Sequence, residues 1–284
     1  MADYRFLPMR RLRDFCEKKG INFSIDVMDL FEGGTSFKSK IKAMDNFLRM
    51  KYLYPKVERR IYICSLYETK IGKTDRTVVV PGTIVTIESK NDNHEKLFDF
   101  ESERKILFFA GRPGNRCEKE KIDWVIKCIY DLKNENEFEF LVAGVTEEEY
   151  RLNNPEKVHD ITKNIHFLGD LSHRRCIKLL STADFSLVIR EKKALADYGF
   201  STKIGEAFSC GIPVIATDTS DNSNYIFNGV NGYICDCSYE ALYKLLQRVN
   251  VLDREEINRI KRETKQRNPL LYSNYTELLE KVIE

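Results

Sequence analysis

The chain has 284 residues, 42% of them hydrophobic, enough to bury one large core or two modest ones. Charged residues make up 32% but nearly cancel, to a formal net charge of +2, which excludes a dedicated nucleic-acid binder. The balance is uneven: the stretch up to about residue 60 is basic and the remainder slightly acidic. Such asymmetry fits a surface that meets anionic lipid or an acidic partner, and it equally fits a solvated face.

In chain order, the opening MADYRFLPMRRLRDF lacks the apolar core of a secretory signal. Residues 22–27 read as a buried strand. Residues 36–53, SFKSKIKAMDNFLRMKYL, read as a helix. Phe37, Ile41, Met44, Phe47 and Leu48 recur at spacings of three and four, while Lys38, Lys42, Arg49 and Lys51 lie mainly off that face. This stripe either packs on a sheet, leaving the lysines solvated, or lies in a membrane interface with the cations on anionic headgroups. Residues 61–64 and 77–80 read as strands, and the polar 86–104 as a linker with a short helix.

Beyond it, strands at 105–110, 138–143, 165–168, 185–189 and 213–217 are apolar on both faces, as strands between helix layers should be. Amphipathic segments separate them at 120–133, 173–182 and 202–210, with Ser172 an N-cap and Gly211 followed by Pro213 a C-terminal stop. The tail is helical over 238–250, 253–267 and 270–283. Strands alternating with helices predict a parallel, doubly wound sheet. No run is long and apolar enough to span a bilayer. The eight cysteines are scattered, with no CxxC pair and no metal-ligand spacing, which points to a reducing compartment and hence the cytoplasm.

Two segments carry chemistry. In FFAGRPGNRCEKEKID, 108–123, a strand ends at Ala110, a glycine-containing loop follows, and a helix begins near Glu118. That arrangement aims backbone N–H groups and a helix dipole at an anion, with Arg112 and Lys119 placed to meet it. An ordinary strand-to-helix turn with surface charges reads the same way, and Gly111 and Gly114 complete no dinucleotide fingerprint. In ADYGFSTKIGEAFSCGIPVIAT, 196–217, Ser201 or Thr202 caps a helix on which Lys203 and Glu206 share a face. The lysine suits a phosphate, and the carboxylate suits a ribose diol because it accepts from both hydroxyls at once. The alternative is a surface ion pair worth only about 0.3–0.5 kcal/mol.

FFAGR with a downstream lysine, FLVAG at 140–144, IHFLGDLSH at 165–173, STADFSLVIR at 181–190, STKIGEAFSCGIPVIAT at 201–217 and NGVNGYI at 228–234 occur in one order. In that order and spacing, 105–284 resembles the C-terminal lobe of the retaining family-4 (group 1) glycosyltransferases, which have the two-lobed GT-B fold. The resemblance implies an α/β chain with a complete Rossmann-like C-terminal donor lobe at 105–284 and a partial α/β N-terminal acceptor lobe at 1–95. SIDVMDLFEG at 24–33 and YICSLYETKIGKTDRTVVVPG at 62–82 resemble the later part of that acceptor lobe, and its front is missing.

The implied reaction moves a sugar from a nucleoside-diphosphate donor to an acceptor hydroxyl, with no metal or other cofactor expected, in assembly of a bacterial surface polysaccharide or glycoconjugate. The resemblance makes Arg112 and Lys119 the catalytic pair on the diphosphate and Glu206 the ribose ligand, with Gly111, Arg190, Thr202 and Lys203 also at the donor. The motif's first glutamate falls on Tyr198, and GFSTK at 199–203 resembles a variant in which that glutamate is replaced. The implied partners are the nucleotide-sugar, a glycan or lipid-linked acceptor, the inner membrane face, and a separate chain supplying the rest of the acceptor lobe. Two rival expectations are a sugar-nucleotide-binding module without turnover and another doubly wound enzyme such as an epimerase of the same fold.

Overall fold

The apolar runs downstream of residue 104 fold as the strands expected of them, buried except at 165–169, an edge strand whose middle residues are half-buried. The computed structural model describes residues 5–28, 30, 33, 36–85, 104–133 and 136–284. The segment 86–103, and with it most of the expected linker, lies outside the described residues, as do three positions of the 24–33 motif (29, 31 and 32). The chain divides into two compact units, one of Met1–Thr83, Lys193–Phe200 and Tyr272–Glu284, the other of Ile84–Lys192 and Ser201–Leu271.

The first unit holds a parallel three-stranded sheet, β1 (Ser24–Val27), β2 (Arg59–Tyr62) and β3 (Thr77–Val79), in that order. β2 begins two residues before its apolar run. Arg59 and Arg60 are buried in it because their guanidinium groups donate to backbone carbonyls, Arg59 to Val282 and Glu284, Arg60 to Pro55, Val57 and Gly72. The closing helix is shorter than its sequence span: a 3-10 turn at Tyr272–Tyr275 leads into Thr276–Ile283, which packs against β2 and β3 within this unit. A helix that the arginine-rich opening hides, Phe6–Lys19, precedes β1.

The helix Phe37–Leu48 is capped by the Ser36 hydroxyl, which accepts from the Ser39 N–H. It is turned the opposite way to a core-facing amphipathic helix. Asn46 and Met50, just beyond it, are buried, and Ser39 and Ala43 are half-buried on the same side. The apolar stripe faces out, with Phe37 78%, Ile41 54%, Met44 60% and Phe47 50% exposed. Packing of the stripe on the sheet, one of the two sequence readings, is therefore not what the fold does.

The second unit is a six-stranded parallel sheet: β4 (Lys105–Ala110), β5 (Phe138–Ala143), β6 (Ile165–Gly169), β7 (Phe185–Val188), β8 (Val214–Thr217) and β9 (Gly232–Cys235). Their order is β6-β5-β4-β7-β8-β9. β9, which sequence reading leaves as part of a motif, extends the sheet beside β8. Leu107, Phe109, Phe140, Val142 and Leu187 form the core with Val125, Ile126 and Ile129 of the helix Ile122–Leu132. Local chemistry sets the helix starts. Ser172 accepts from the Arg175 N–H to open His173–Thr182, and Thr146 and Glu149 form a reciprocal capping box on Glu147–Asn153. Gly211 sits at φ +72 just past Thr202–Ser209, in the left-handed conformation that ends a helix. Among the described residues, no helix is long and apolar enough to cross a membrane.

Candidate donor site

The chain leaves β4 for β5 and β6 on one side and returns through β7 to β8 and β9 on the other. The order reverses between β4 and β7, and loops leaving the carboxyl ends of such a pair open a crevice where ligands bind. Gly111 follows β4 and Arg190 follows β7, so sequence candidates from both motifs meet at this crevice.

The loop after β4 is bent hard. Gly111 (φ +138), Gly114 (φ +82), Arg116 (φ +49) and Cys117 (φ +55) all have positive φ, a cost of about 1–3 kcal/mol for each non-glycine. A Cβ on Gly144, at the end of β5, would lie 2.5 Å from the Gly111 carbonyl oxygen, so only glycine lets the two strand ends approach this closely. The helix begins at Ile122, four residues later than expected. The loop amides are also already engaged: Cys117 N–H donates to Gly114, Glu118 to Asn115, Lys119 and Glu120 both to Pro113, and Lys121 to Ile189. The amides from Cys117 to Lys121 are therefore not offered to an anion, and side chains are what this part of the loop presents.

Those side chains fall into two groups. Arg112 is 64% exposed and pairs with Asp170 at 2.6 Å and Glu149 at 3.6 Å. It borders a cavity of about 310 Å³ lined also by Gly114, Gly144, Tyr150 and Asn154. Lys119 is exposed too. On the other side of the loop, Glu120 is fully buried. Its Oε1 accepts from Lys203 Nζ at 2.6 Å and from Arg190 Nη2 and Nε at 2.7 and 3.0 Å. Sequence reading passes over Glu120 as one charge in the run EKEK. Its only sequence signal is its place two residues before the apolar run of a helix.

Each cation of this cluster is fixed by its surroundings. The Arg190 N–H donates to Thr217 Oγ1, and that hydroxyl donates back to the Arg190 carbonyl, both at 2.7 Å, with Thr217 fully buried. Lys203 Nζ lies 5.0 Å from the centroid of the Phe109 ring, over its face. A Cβ on Gly111 would stand 3.1 Å from Lys203 Cε and 3.4 Å from Nζ, so the glycine is what makes room for the lysine. Burial raises the Glu120 carboxyl, but Lys203 and Arg190 outweigh it and leave the group below its ordinary value. Burial likewise drives the Lys203 ammonium below its ordinary value, with Glu120 opposing and Arg190 and Lys119 reinforcing the fall.

Lys203 and Glu206 do not pair with each other in the manner of a surface i, i+3 pair. Lys203 turns to Glu120, and Glu206 Oε1 lies 3.5 Å from His173 Nε2. Ser201 occupies the N-cap position of Thr202–Ser209 without capping it, and its hydroxyl instead accepts from Arg190 Nη2 at 3.4 Å. Thr202, the first helical residue, is exposed. This helix start keeps the uncapped N–H groups and dipole that favour an anion. Tyr198 belongs to the first unit. There its ring lies 5.1 Å from that of Tyr67 and under Lys70 Nζ at 4.5 Å. Among the described residues, no group of three or more His, Cys, Asp or Glu side chains could hold a metal ion.

Solved structures share this architecture. Sucrose-phosphate synthase from Thermosynechococcus elongatus aligns over 95% of this chain and 69% of its own, with TM-score 0.68 and 14% identity. Anabaena HepE in complex with UDP-glucose aligns over 98% and 76%, with TM-score 0.65 and 14% identity. A glycosyltransferase from Rickettsia africae aligns over 97% and 80%, with TM-score 0.65 and 14% identity. At this identity the likeness establishes the fold, that of the GT-B glycosyltransferases. No curated protein sequence matches the chain. The chain belongs to the glycosyl transferases group 1 family, whose pattern it matches over residues 90–267.

Proposed function

We propose that the protein transfers a glycosyl group from a nucleoside-diphosphate sugar to an acceptor hydroxyl, the unit Ile84–Lys192 with Ser201–Leu271 serving as donor lobe. The observation that carries this is the cluster of Arg190 and Lys203 on the buried Glu120, beside the uncapped start of Thr202–Ser209. Two cations against one carboxylate leave the cluster positive, and Lys119 adds to it. The diphosphate sits there, with Arg112 reaching it from the far side of the loop and Gly111 leaving room for Lys203. Thr202 lies at the helix start, and Glu206 accepts from the ribose diol.

In the reaction the bond from the anomeric carbon to the diphosphate oxygen breaks and the bond to the acceptor oxygen forms. The acceptor proton passes to the leaving phosphate. Cations fixed beforehand stabilise the charge that develops on that phosphate without reorganising. Retention of anomeric configuration follows the family resemblance and is read from the product by NMR. The cations of the chain neutralise the diphosphate, so activity survives EDTA; a loss restored by Mg²⁺ or Mn²⁺ contradicts this. Release of nucleoside diphosphate from a panel of donors is the test, beginning with UDP-glucose, the ligand of HepE. Tight UDP binding with no turnover on any donor and acceptor supports the binding-module reading instead.

The acceptor we propose is a glycan or lipid-linked glycan of a surface polysaccharide, handled in the cytoplasm at the membrane face. The outward stripe of the Phe37 helix favours membrane contact. Residues 36–53 carry five Lys or Arg and a single acid, Asp45, which is tied to Arg49 and to the Phe6 N–H. Viewed down the helix, Lys38 and Lys42 flank the stripe on one side and Lys40 lies within it between Met44 and Phe47, so cations accompany the outward apolar face as an anionic interface requires. Sedimentation with vesicles is expected to need anionic lipid, to fall with salt, and to drop when Lys38, Lys40 and Lys42 are replaced. Equal binding to neutral vesicles, unaffected by salt, contradicts membrane docking.

A further inference from the structure

One carboxylate oxygen gathers side chains from three separate places in the second unit. Glu120 comes from the loop after β4, Arg190 from the end of β7 and Lys203 from the first turn of Thr202–Ser209. They converge on Glu120 Oε1 at 2.6–3.0 Å. Neither cation finds its place alone, since two positive side chains brought together repel. The carboxylate is also costly to the fold. It is 0% exposed, and its second oxygen, Oε2, is buried with no hydrogen-bond partner. A buried ion cluster with an unsatisfied oxygen is a weak source of stability compared with an apolar filling of the same shape. Its yield is geometric: two cations from different elements at a fixed separation.

We infer that Glu120 is a positioning residue for the donor diphosphate, holding Arg190 and Lys203 side by side so that both face the anion. This rests on the donor-site reading above. Glu120 is too deeply buried to touch the ligand and acts only through the two cations. Simple attraction makes the opposite forecast, because removing a negative charge from an anion site strengthens binding. A second consequence concerns protonation. The charged groups around the Lys203 ammonium are Glu120, Arg190 and Lys119, and of these only Glu120 supports its charge. Without Glu120 the lysine loses its proton at lower pH.

UDP affinity of the whole chain, measured by calorimetry from pH 6 to pH 10, tests this with Glu120→Gln, Glu120→Asp and the double variant Glu120→Gln with Lys203→Arg. For Glu120→Gln the alkaline decline of affinity is expected to begin about one to two pH units below the parent's, the span set by a charged hydrogen bond. Adding Lys203→Arg abolishes that shift, because a guanidinium keeps its proton. Glu120→Asp keeps the charge but draws it back by a methylene, so affinity falls about tenfold with the alkaline limb in place. Tighter or unchanged binding by Glu120→Gln across the whole range, or parental affinity for Glu120→Asp, overturns the inference. Lys203→Ala and Arg190→Ala separate the two levels. If both bind UDP as the parent does, the donor-site reading itself fails; if both weaken it while the Glu120 variants do not, only the positioning role fails.

Discussion

Arg112 and Arg190 follow the two strands that flank the reversal of the sheet, and their surroundings are opposite. Arg112 is 64% exposed and holds Asp170 and Glu149, themselves 73% and 46% exposed. The Arg190 side chain is 14% exposed and holds Glu120, which is fully buried. An exposed pair is worth roughly 0–1 kcal/mol and exchanges freely with water and salt. A buried carboxylate with two cations has one arrangement and keeps it. Sequence motifs place the main catalytic weight on Arg112 and Lys119, whereas the fixed charge lies at Arg190 and Lys203. Cations that are already in place are the ones that stabilise a leaving diphosphate without first having to move.

The largest expected difference between the two sides is in stability. Arg190→Ala strands a buried carboxylate with one cation and is expected to lower the unfolding free energy by about 3 kcal/mol or more. Arg112→Ala should lower it by less than about 1 kcal/mol. Urea denaturation compares them, and equal losses erase the distinction. Gly111→Ala is expected to weaken UDP binding about tenfold, because the new methyl displaces Lys203 from Glu120. Parental affinity in that variant shows that the lysine's place is not set by the glycine.

Acid should report on the same cluster. The folded-state carboxyl of Glu120 is lowered from 4.5, so the stability it contributes is fully present above the unfolded value and is lost as pH falls through the lower, folded one. Glu120→Gln should flatten the stability profile below about pH 4.5 and leave its slope between pH 5 and 7 unchanged. A profile identical to the parent's below that point removes Glu120 as an ionised partner. The smallest expected effect is that of Arg112→Ala on UDP affinity, about two- to threefold and shrinking as salt is raised. A loss as large as that from Arg190→Ala returns the weight to Arg112.

What the sequence made legible follows from local chemistry. Strands at 105–110 and 138–143 are apolar on both faces, and their bounds fall where those runs end. The Ser172 cap and the Gly211 stop need only neighbours a few residues away. Glu120 was not legible because its partners lie 70 and 83 residues onward and nothing in EKEK marks which charge turns inward. The helix starts at Ile122 rather than near Glu118 because the amides of Cys117 to Lys121 bond to carbonyls of a tight turn with positive φ, which spacing does not show. In the Phe37 helix the apolar period was correct, but the period carries no sign, and burial of Asn46 with Met50 sets the stripe outward. Arg59 and Arg60 stand outside the apolar run that marks β2 in the sequence, yet they are buried in it because carbonyls satisfy their donors.

Calorimetry of Lys203→Ala with UDP and with uridine tests the central claim most directly, that fixed cations at this crevice hold the donor diphosphate. A loss of about ten- to hundredfold in UDP affinity is expected, the value of one charged hydrogen-bond partner, with uridine affinity nearly unchanged. Equal losses for the two ligands, or UDP affinity equal to the parent's, contradict it.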